Sequence, residues 1–116
     1  MPYVDGYVLP ISKKKVSAYR RVASQTAKLW RKHGALEYHE NVGDDLKTGM
    51  GVPFTSRVKA KPGETVVFAW VTFKSRAHRD RVNKKVMKDP RMKEIMEMDL
   101  PFNSKRMAYG GFKEIV

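Results

Sequence analysis

Residues 65–73, Thr-Val-Val-Phe-Ala-Trp-Val-Thr-Phe, place apolar side chains on both faces of a strand. Successive side chains of a strand point to opposite faces, so the segment carries two rows. Both rows are apolar: Val66, Phe68 and Trp70 on one face, and Val67, Ala69 and Val71 on the other. An antiparallel sheet covered on one side only normally shows a polar outer face. We therefore expect both faces of this strand to be covered in the assembled protein.

The periodicity of apolar residues indicates where the other elements lie. Repeats at three- and four-residue steps indicate two amphipathic helices, and β-branched, aromatic or alternating runs indicate strands. Ser12 and Ser75 are suited to cap the two helices, and Asp89-Pro90 interrupts the second one and restarts it. The predicted elements are strand 3–11, helix 13–33, strand 35–42, strand 65–73, helix 76–88 continued by 91–98, and strand 105–116.

The order β-α-β-β-α-β predicts a ferredoxin-like α+β fold, in which two helices cover one face of an antiparallel sheet. A chain of 116 residues has the length of one domain, which we expect to span residues 1–116. Two helices cover only one of the two apolar rows of residues 65–73. A second copy of the same sheet is the simplest cover for the other row. We therefore predict a homodimer whose sheets pack face to face.

Composition excludes several classes of protein and site. The chain contains no cysteine, so disulfides, thiolate metal sites and cysteine nucleophiles are all excluded. Residues 1–6 do not resemble a signal peptide, and no apolar run approaches the ~20 residues that a membrane helix needs. We expect a cytoplasmic protein with no membrane partner. No glycine-rich phosphate loop or metal-binding spacing occurs, so we also expect no cofactor and no metal.

The net charge of +12 admits two interpretations. Most of the 24 basic residues lie in residues 13–33 and 74–93, the two helical segments. They either keep an outer helical layer solvated or bind the phosphates of a nucleic acid, which would make binding depend steeply on salt. The aromatic residues occupy positions typical of a core, and none interleaves with the basic runs as stacking on bases would require. This pattern favours solvation, and nucleic acid stays an open alternative.

Two histidines are candidates for a site. His78 shares a helix face with Val82 and Val86, which is typical of a core histidine bonded to a carbonyl. The alternative places the imidazole of His78 in a cleft between helix and sheet. His39 lies in the middle of strand 35–42, on the face opposite Tyr38.

Asp5 is the acid with the clearest need for a partner. Aspartate is disfavoured inside strands, so Asp5 is either a hydrogen-bonded structural residue or a general base with a shifted pKa. Arg79, Arg106 or Tyr109 could bind it. Arg106 could alternatively bind an anionic group of a ligand.

Aromatic residues on the predicted strands offer a lining for a pocket between helices and sheet, although aromatic residues at this spacing are more typical of plain core. They are Tyr7, Trp70, Phe73 and Tyr109. Gly110-Gly111 within the last strand indicates a β-bulge or a close backbone approach.

Three blocks of the sequence, residues 3–9, 75–91 and 101–112, resemble the YbaA-like family, a domain of unknown function. That family looks like a member of the dimeric α+β barrel superfamily, which includes cofactor-free monooxygenases, haem-degrading enzymes and muconolactone isomerases. The resemblance implies a dimer and a pocket between sheet and helices. It does not imply one reaction, because a fold does not determine a function. Asn103-Ser104 departs from the Asp-Gly that is common in the family.

The resulting hypothesis is a homodimer that binds a small aromatic or anionic molecule, with oxygenase-like or isomerase-like chemistry that needs no cofactor. The alternatives are a nucleic-acid-associated protein without enzymatic activity and a structural or stress-related dimer. The predicted ligand-binding residues are Asp5, Tyr7, His39, Trp70, His78, Arg79, Arg106 and Tyr109.

Overall fold

The structure is a computed structural model that describes residues 2–116. It is a ferredoxin-like α+β fold with a four-stranded antiparallel sheet in the order β2-β3-β1-β4. The elements are β1 (Tyr3–Ser12), α1 (Val16–Lys32), β2 (Glu37–Val42), α2 (Phe54–Arg57), β3 (Glu64–Phe73), α3 (Arg76–Lys88), α4 (Pro90–Met96) and β4 (Ala108–Lys113). No helix among residues 2–116 has both the length and the apolar character needed to cross a membrane.

The covered face of the sheet carries the odd-numbered residues of β1 and β3. Leu9, Val71 and Phe73 on this face are almost fully buried, and Val82 and Val86 of α3 belong to the same core cluster as Val71 and Phe73. Burying a large apolar side chain contributes about 1.5–3 kcal/mol, so this layer supplies much of the stability. The helices α1, α3 and α4 form the cover.

Polar caps begin and end the helices largely where the sequence predicts them. Ser75 Oγ accepts a hydrogen bond from the His78 N–H at 3.1 Å and starts α3. Asp89 ends α3 and, by accepting from the Arg91 N–H at 2.9 Å, starts α4 with Pro90 in its first turn. Ser12 caps a 3-10 turn over Lys13–Lys15, and α1 follows that turn. The predicted break at Asp89-Pro90 is therefore confirmed.

The uncovered face carries the even-numbered residues of β3, and it is aromatic. Phe68 is 46% exposed, and its ring lies 5.4 Å from that of Trp70 and 6.2 Å from that of Phe54 in α2. Phe112 of β4, on the same face, is 62% exposed. The expectation that the aromatic residues occupy core positions is wrong for Phe68 and Phe112, because the helices cover only the opposite face.

The last strand is shorter than the predicted segment 105–116. Residues Ser104–Arg106 form a 3-10 turn, and β4 covers only Ala108–Lys113. The pairing of β4 with β1 runs without a break through Gly6↔Gly110 and Asp5↔Gly111, so the predicted bulge is wrong. The glycine at 111 instead allows a close approach, because a Cβ there would lie 2.5 Å from the Tyr3 hydroxyl.

Candidate functional site

A cavity of about 520 Å³ lies between the sheet and the helices α1 and α4. All four strands contribute to its floor, α3 adds Asn83 and Met87, and the chain that leads from α4 to β4 forms part of its wall. Most of its lining is apolar or aromatic, and four methionines contribute: Met87, Met92, Met96 and Met107. A concave apolar space with a few polar groups is the usual form of a small-molecule site.

Among residues 2–116, Glu40 of β2 is the one charged side chain that lines this cavity. Its Oε1 accepts a hydrogen bond from the Tyr19 hydroxyl at 2.6 Å, and its Oε2 accepts one from the Tyr38 hydroxyl at 2.7 Å. The Thr26 hydroxyl lies 2.8 Å from the oxygen of Tyr38 and extends the network onto α1. One carboxyl group thus faces the cavity, held by two phenols.

The surroundings of Glu40 change its acidity. Burial raises the pKa of Glu40 above its usual 4.5, because a charged carboxylate loses hydration there, and the hydrogen bonds from Tyr19 and Tyr38 oppose that effect. Burial and the nearby carboxylate also raise the pKa of both tyrosines, so the phenols stay protonated donors. A carboxyl group with a raised pKa in a cavity is suited to accept and release protons.

A second polar network lies around Asp5, which is 0% exposed. Arg79 Nη1 donates to Asp5 Oδ1 at 2.7 Å, and Asn83 Nδ2 and the Tyr109 hydroxyl each donate to Oδ2 at 3.3 Å. Trp30 Nε1 in turn donates to Asn83 Oδ1 at 3.0 Å. Burial raises the pKa of Asp5, while the bonds from Asn83, Arg79 and Tyr109 lower it. Burial is the larger effect, so the pKa of Asp5 is raised overall, and these donors offset part of the cost of burying the charged form.

The structure brings four of the predicted residues together: Asp5, Tyr7, Arg79 and Tyr109. The rings of Tyr7 and Tyr109 stack with centroids 4.8 Å apart, and both line the cavity. Asp5 and Arg79 lie behind Tyr109 and bind its hydroxyl, with Arg79 Nη1 at 3.1 Å. Of the three partners foreseen for Asp5, Arg79 and Tyr109 bind it.

The structure places the other four predicted residues elsewhere. Trp70 and His39 lie on the uncovered face, because they belong to the opposite row of β3 and β2, with rings 5.1 Å apart. His78 Nδ1 accepts from the Lys74 N–H at 3.0 Å at the start of α3, away from the cavity lining. Arg106 forms a two-bond ion pair with Glu64, at 2.7 and 2.8 Å, and does not contact Asp5.

Sequence reasoning missed Glu40 and its partners Tyr19 and Tyr38. A signal was available, because Glu40 alternates with Tyr38 and Val42 on the row of β2 that faces the helices. An acid in an otherwise apolar row must bind something when it is buried. The position of Tyr19 on α1, 21 residues away, is not visible in this pattern.

A groove of about 410 Å³ lies on the other side of Glu40, between α1 and the edge strand β2. Tyr19, Tyr38 and Glu40 belong to the walls of both the groove and the cavity. Basic side chains line the solvent side of the groove: Arg20, Lys28 and Arg31. Within residues 2–116, no three histidine, aspartate or glutamate side chains are grouped closely enough to hold a metal ion.

Comparison with known proteins assigns the chain to a family. A family described as proteins of unknown function, DUF1428, matches residues 2–104. The chain belongs to this family. The protein YbaA of Escherichia coli K12, described as uncharacterized, is 44% identical over 116 residues, which is 100% of this chain and 98% of that protein. The YbaA protein of Shigella flexneri matches to the same extent. The resemblance seen in the sequence is confirmed.

Solved structures similar to this DUF1428 chain share its fold. A NIPSNAP domain protein from Burkholderia xenovorans aligns with a TM-score of 0.60 at 10% identity, over 97% of this chain and 94% of that one. Rv0793 from Mycobacterium tuberculosis aligns with a TM-score of 0.55 at 14% identity, over 100% and 97%. At3g17210 from Arabidopsis thaliana has a TM-score of 0.55 at 15% identity, over 97% and 96%. At these identities the likeness concerns the fold alone.

Proposed function

We propose that this protein binds a small, largely apolar molecule in the cavity between sheet and helices, and that Glu40 exchanges a proton with it. The observation that carries the proposal is the position of Glu40. It is a partly buried carboxyl group, held by two tyrosine hydroxyls, in a lining that is otherwise apolar or uncharged over residues 2–116.

The proton transfer needs no other reactant. The Glu40 carboxylate takes a proton from a C–H or O–H group of the ligand, and the ligand keeps the bonding electron pair. Return of the proton to a different ligand atom gives an isomer and restores the carboxylate. Between oxygenase-like and isomerase-like chemistry, the site therefore favours the second, because a positioned base alone can complete it.

The network around Asp5 is assigned a positioning role. Asp5 and Arg79 fix the hydroxyl of Tyr109, and the stacked rings of Tyr109 and Tyr7 form one wall of the cavity. These two rings offer a bound ligand a rigid aromatic surface. Of the four predicted residues that lie close together in the structure, Tyr7 and Tyr109 are assigned to ligand contact.

Methionine methyl groups provide the test of ligand binding. With ¹³C-methyl methionine, a library of small apolar and aromatic compounds is screened for changes in the methyl NMR signals. A ligand in the cavity is expected to shift the signals of Met87, Met92, Met96 and Met107. Met50, which is 87% exposed, is the internal control and should not respond. Compounds that shift only the Met50 signal, or no compound binding at all, would overturn the proposal.

We also propose that a second copy of the chain covers the uncovered sheet face. The apolar residues of that face lie side by side on neighbouring strands, with the exposed rings of Phe68 and Phe112 among them. Large exposed apolar patches mark association surfaces. A face built from one sheet is suited to pack on its own copy about a twofold axis.

Binding of a polyanion to the outer helices is the second candidate function. Five exposed basic residues of α3 form no ion pair within residues 2–116: Arg76, Arg81, Lys84, Lys85 and Lys88. Phosphate binding by such residues would weaken steeply as salt rises. A titration of single-stranded RNA that shows no binding even at low ionic strength would exclude this candidate.

A further inference from the structure

The cavity lining lacks the basic side chains that give the protein its positive net charge. The chain has 24 lysine and arginine residues and a formal net charge of +12. Within residues 2–116, none of those basic side chains lines the cavity, and the acidic side chain that does is Glu40. Arg79 lies behind the lining, where it donates to the Tyr109 hydroxyl at 3.1 Å and is paired with Asp5 at 2.7 Å and Asp80 at 2.8 Å. The inner site is therefore opposite in sign to the outer surface.

Six aromatic side chains surround the same space. Their rings present electron-rich faces, which attract cations, most strongly where water is excluded. Trp and Tyr rings act best in this way. The six residues are Tyr7, Tyr19, Trp30, Tyr38, Phe102 and Tyr109. An aromatic enclosure with one carboxylate is the combination that binds ammonium groups in water-poor sites.

We propose that the molecule bound in this cavity is an apolar cation, an amine or a methylated ammonium compound, whose positive charge pairs with Glu40 among the aromatic rings. This inference rests on the proposed function, since it names the class of ligand for the same cavity. It also changes the expectation drawn from sequence, which included an anionic ligand. An anion would lie in this cavity beside Glu40 without a basic partner from the described lining residues.

Glu40 can bind such a ligand without losing its hydrogen bonds from Tyr19 and Tyr38. Each carboxylate oxygen can accept two hydrogen bonds, and each oxygen of Glu40 accepts one from a phenol. A buried cation without a partner would be strongly disfavoured, and Glu40 supplies that partner. The methionines that line the same cavity are flexible and polarisable, so they can adapt to the shape of the apolar part.

Ionisation of Glu40 links binding to pH. The titratable or charged groups that face Glu40 are Tyr19 and the exposed residues Arg20, Lys28 and Arg31 from α1, Tyr38 from β2 and Tyr7 from β1. The basic groups lie on the solvent side of the groove, where water and salt screen them. Because burial raises the pKa of Glu40, the affinity for a cation should fall as pH is lowered through that pKa.

Three probes of similar shape and different charge test the inference. They are benzyltrimethylammonium, its neutral isostere neopentylbenzene, and the anion phenylacetate, each titrated by calorimetry and by the methionine methyl signals. The cation is expected to bind about tenfold or more tightly than the neutral isostere. Phenylacetate is expected not to bind in the cavity.

Two variants of equal charge separate the role of Glu40 from a general effect of charge. Glu40→Gln should reduce the affinity for benzyltrimethylammonium by about tenfold or more and leave that for neopentylbenzene nearly unchanged. Glu37→Gln alters an exposed residue of the same strand, on the other face, and should leave both affinities unchanged. In Glu40→Gln the pH dependence of cation binding should disappear.

The outcomes distinguish this inference from the function on which it rests. If neopentylbenzene or phenylacetate shifts the cavity methionines and the ammonium compound does not, the cation assignment is wrong and the cavity is still a ligand site. If Glu40→Gln leaves the affinity for the ammonium compound unchanged, the pairing with Glu40 is wrong. If none of the three probes and no library compound shifts those methyl signals, both the inference and the proposed function fail.

Discussion

Asp5 lies at the centre of the polar network that it forms with Arg79, Asn83 and Tyr109. Its carboxylate is fully buried, and the Arg79 side chain that pairs with it is 12% exposed. Arg79 also lies over the ring of Tyr3, 4.9 Å from its centroid. Removing one partner of a buried ion pair leaves an uncompensated charge, which is far more harmful than losing an exposed pair.

The first prediction concerns this pair. Asp5→Ala is expected to lower the free energy of unfolding by about 3–5 kcal/mol, because Arg79 then stays buried without its main partner. The control is Asp80→Ala, which removes the other acid bound to Arg79, one that is 60% exposed. That variant should lose about 1 kcal/mol or less. Urea unfolding of both variants provides the measurement, and losses of equal size would contradict the assignment.

The second prediction concerns the acidity of Glu40. The Tyr19 hydroxyl donates to the carboxylate and thereby lowers the pKa of Glu40 against the effect of burial. Tyr19→Phe removes that bond while keeping the ring, so the pKa of Glu40 should rise further. NMR titration of the Glu40 side-chain carboxyl carbon measures it. Tyr3→Phe, whose hydroxyl does not bind Glu40, is the control, and an unchanged pKa in Tyr19→Phe would refute the network.

Among the elements, α1 and α4 are joined by one acid. Asp89 caps α4, and its Oδ2 also lies 2.7 Å from His33 Nε2 at the end of α1 and 3.4 Å from Lys32 Nζ. His33 and Lys32 are cations or potential cations at a helix C-terminus, where the helix dipole favours them. These two helices form part of the cavity wall, so the junction also holds the site in shape.

The third prediction is an acid dependence of this junction. The bonds from His33 and the Arg91 N–H lower the pKa of Asp89 from 3.8 to about 2. A lowered folded-state pKa gives stability that is present above the unfolded value and is lost as pH falls from about 4 towards about 2. Asp89→Asn keeps the helix cap but should be less stable at pH 7, and the difference should shrink in that acid range.

Thermal unfolding between pH 2 and pH 7 measures this difference. Asp99→Asn alters an exposed acid that forms no ion pair within residues 2–116 and provides the control. If Asp89→Asn and wild type lose stability in parallel over the whole range, the ion pairs at the junction contribute nothing.

The sequence alone located most elements well and the start of β4 less well. The apolar rows of β1 and β3 and the caps at Ser75 and Asp89 depend on neighbours in sequence, and the structure confirms them. The start of β4 was placed too early, because the turn at Ser104–Arg106 is stabilised by distant contacts, including the ion pair of Arg106 with Glu64. Patterns of local residues do not report such contacts.

For the whole molecule, the uncovered sheet face is the surface on which the proposed dimer depends. Helices cover one face, and the other presents Phe68, Trp70 and Phe112, with the short helix α2 covering part of it through Phe54. The basic residues of α1 and α3 lie on the far side of the sheet, so two copies can approach through their open faces without bringing those charges together.

The fourth prediction is that assembly depends on this face. Sedimentation equilibrium at micromolar concentration should give a dimer, and Phe68→Glu should give a folded monomer, because a charge would be buried at the interface. Lys84→Glu alters an exposed residue of α3, which lies on the helical side of the sheet, and should remain dimeric. A monomeric wild-type protein, or equal dimerisation of both variants, would refute the proposed interface.

The sequence by itself determined the order of the elements, the two apolar rows of β3 and the kinship with DUF1428, because periodicity, caps and motifs are properties of neighbouring residues. Only the tertiary structure decided which side chains meet. Asp5 joins Arg79 across 74 residues and Tyr109 across 104, and Glu40 joins Tyr19 from another element. Such contacts depend on strand register and helix packing, which is why Glu40 lies at the centre of the proposed site and Trp70 and His39 lie on the opposite face.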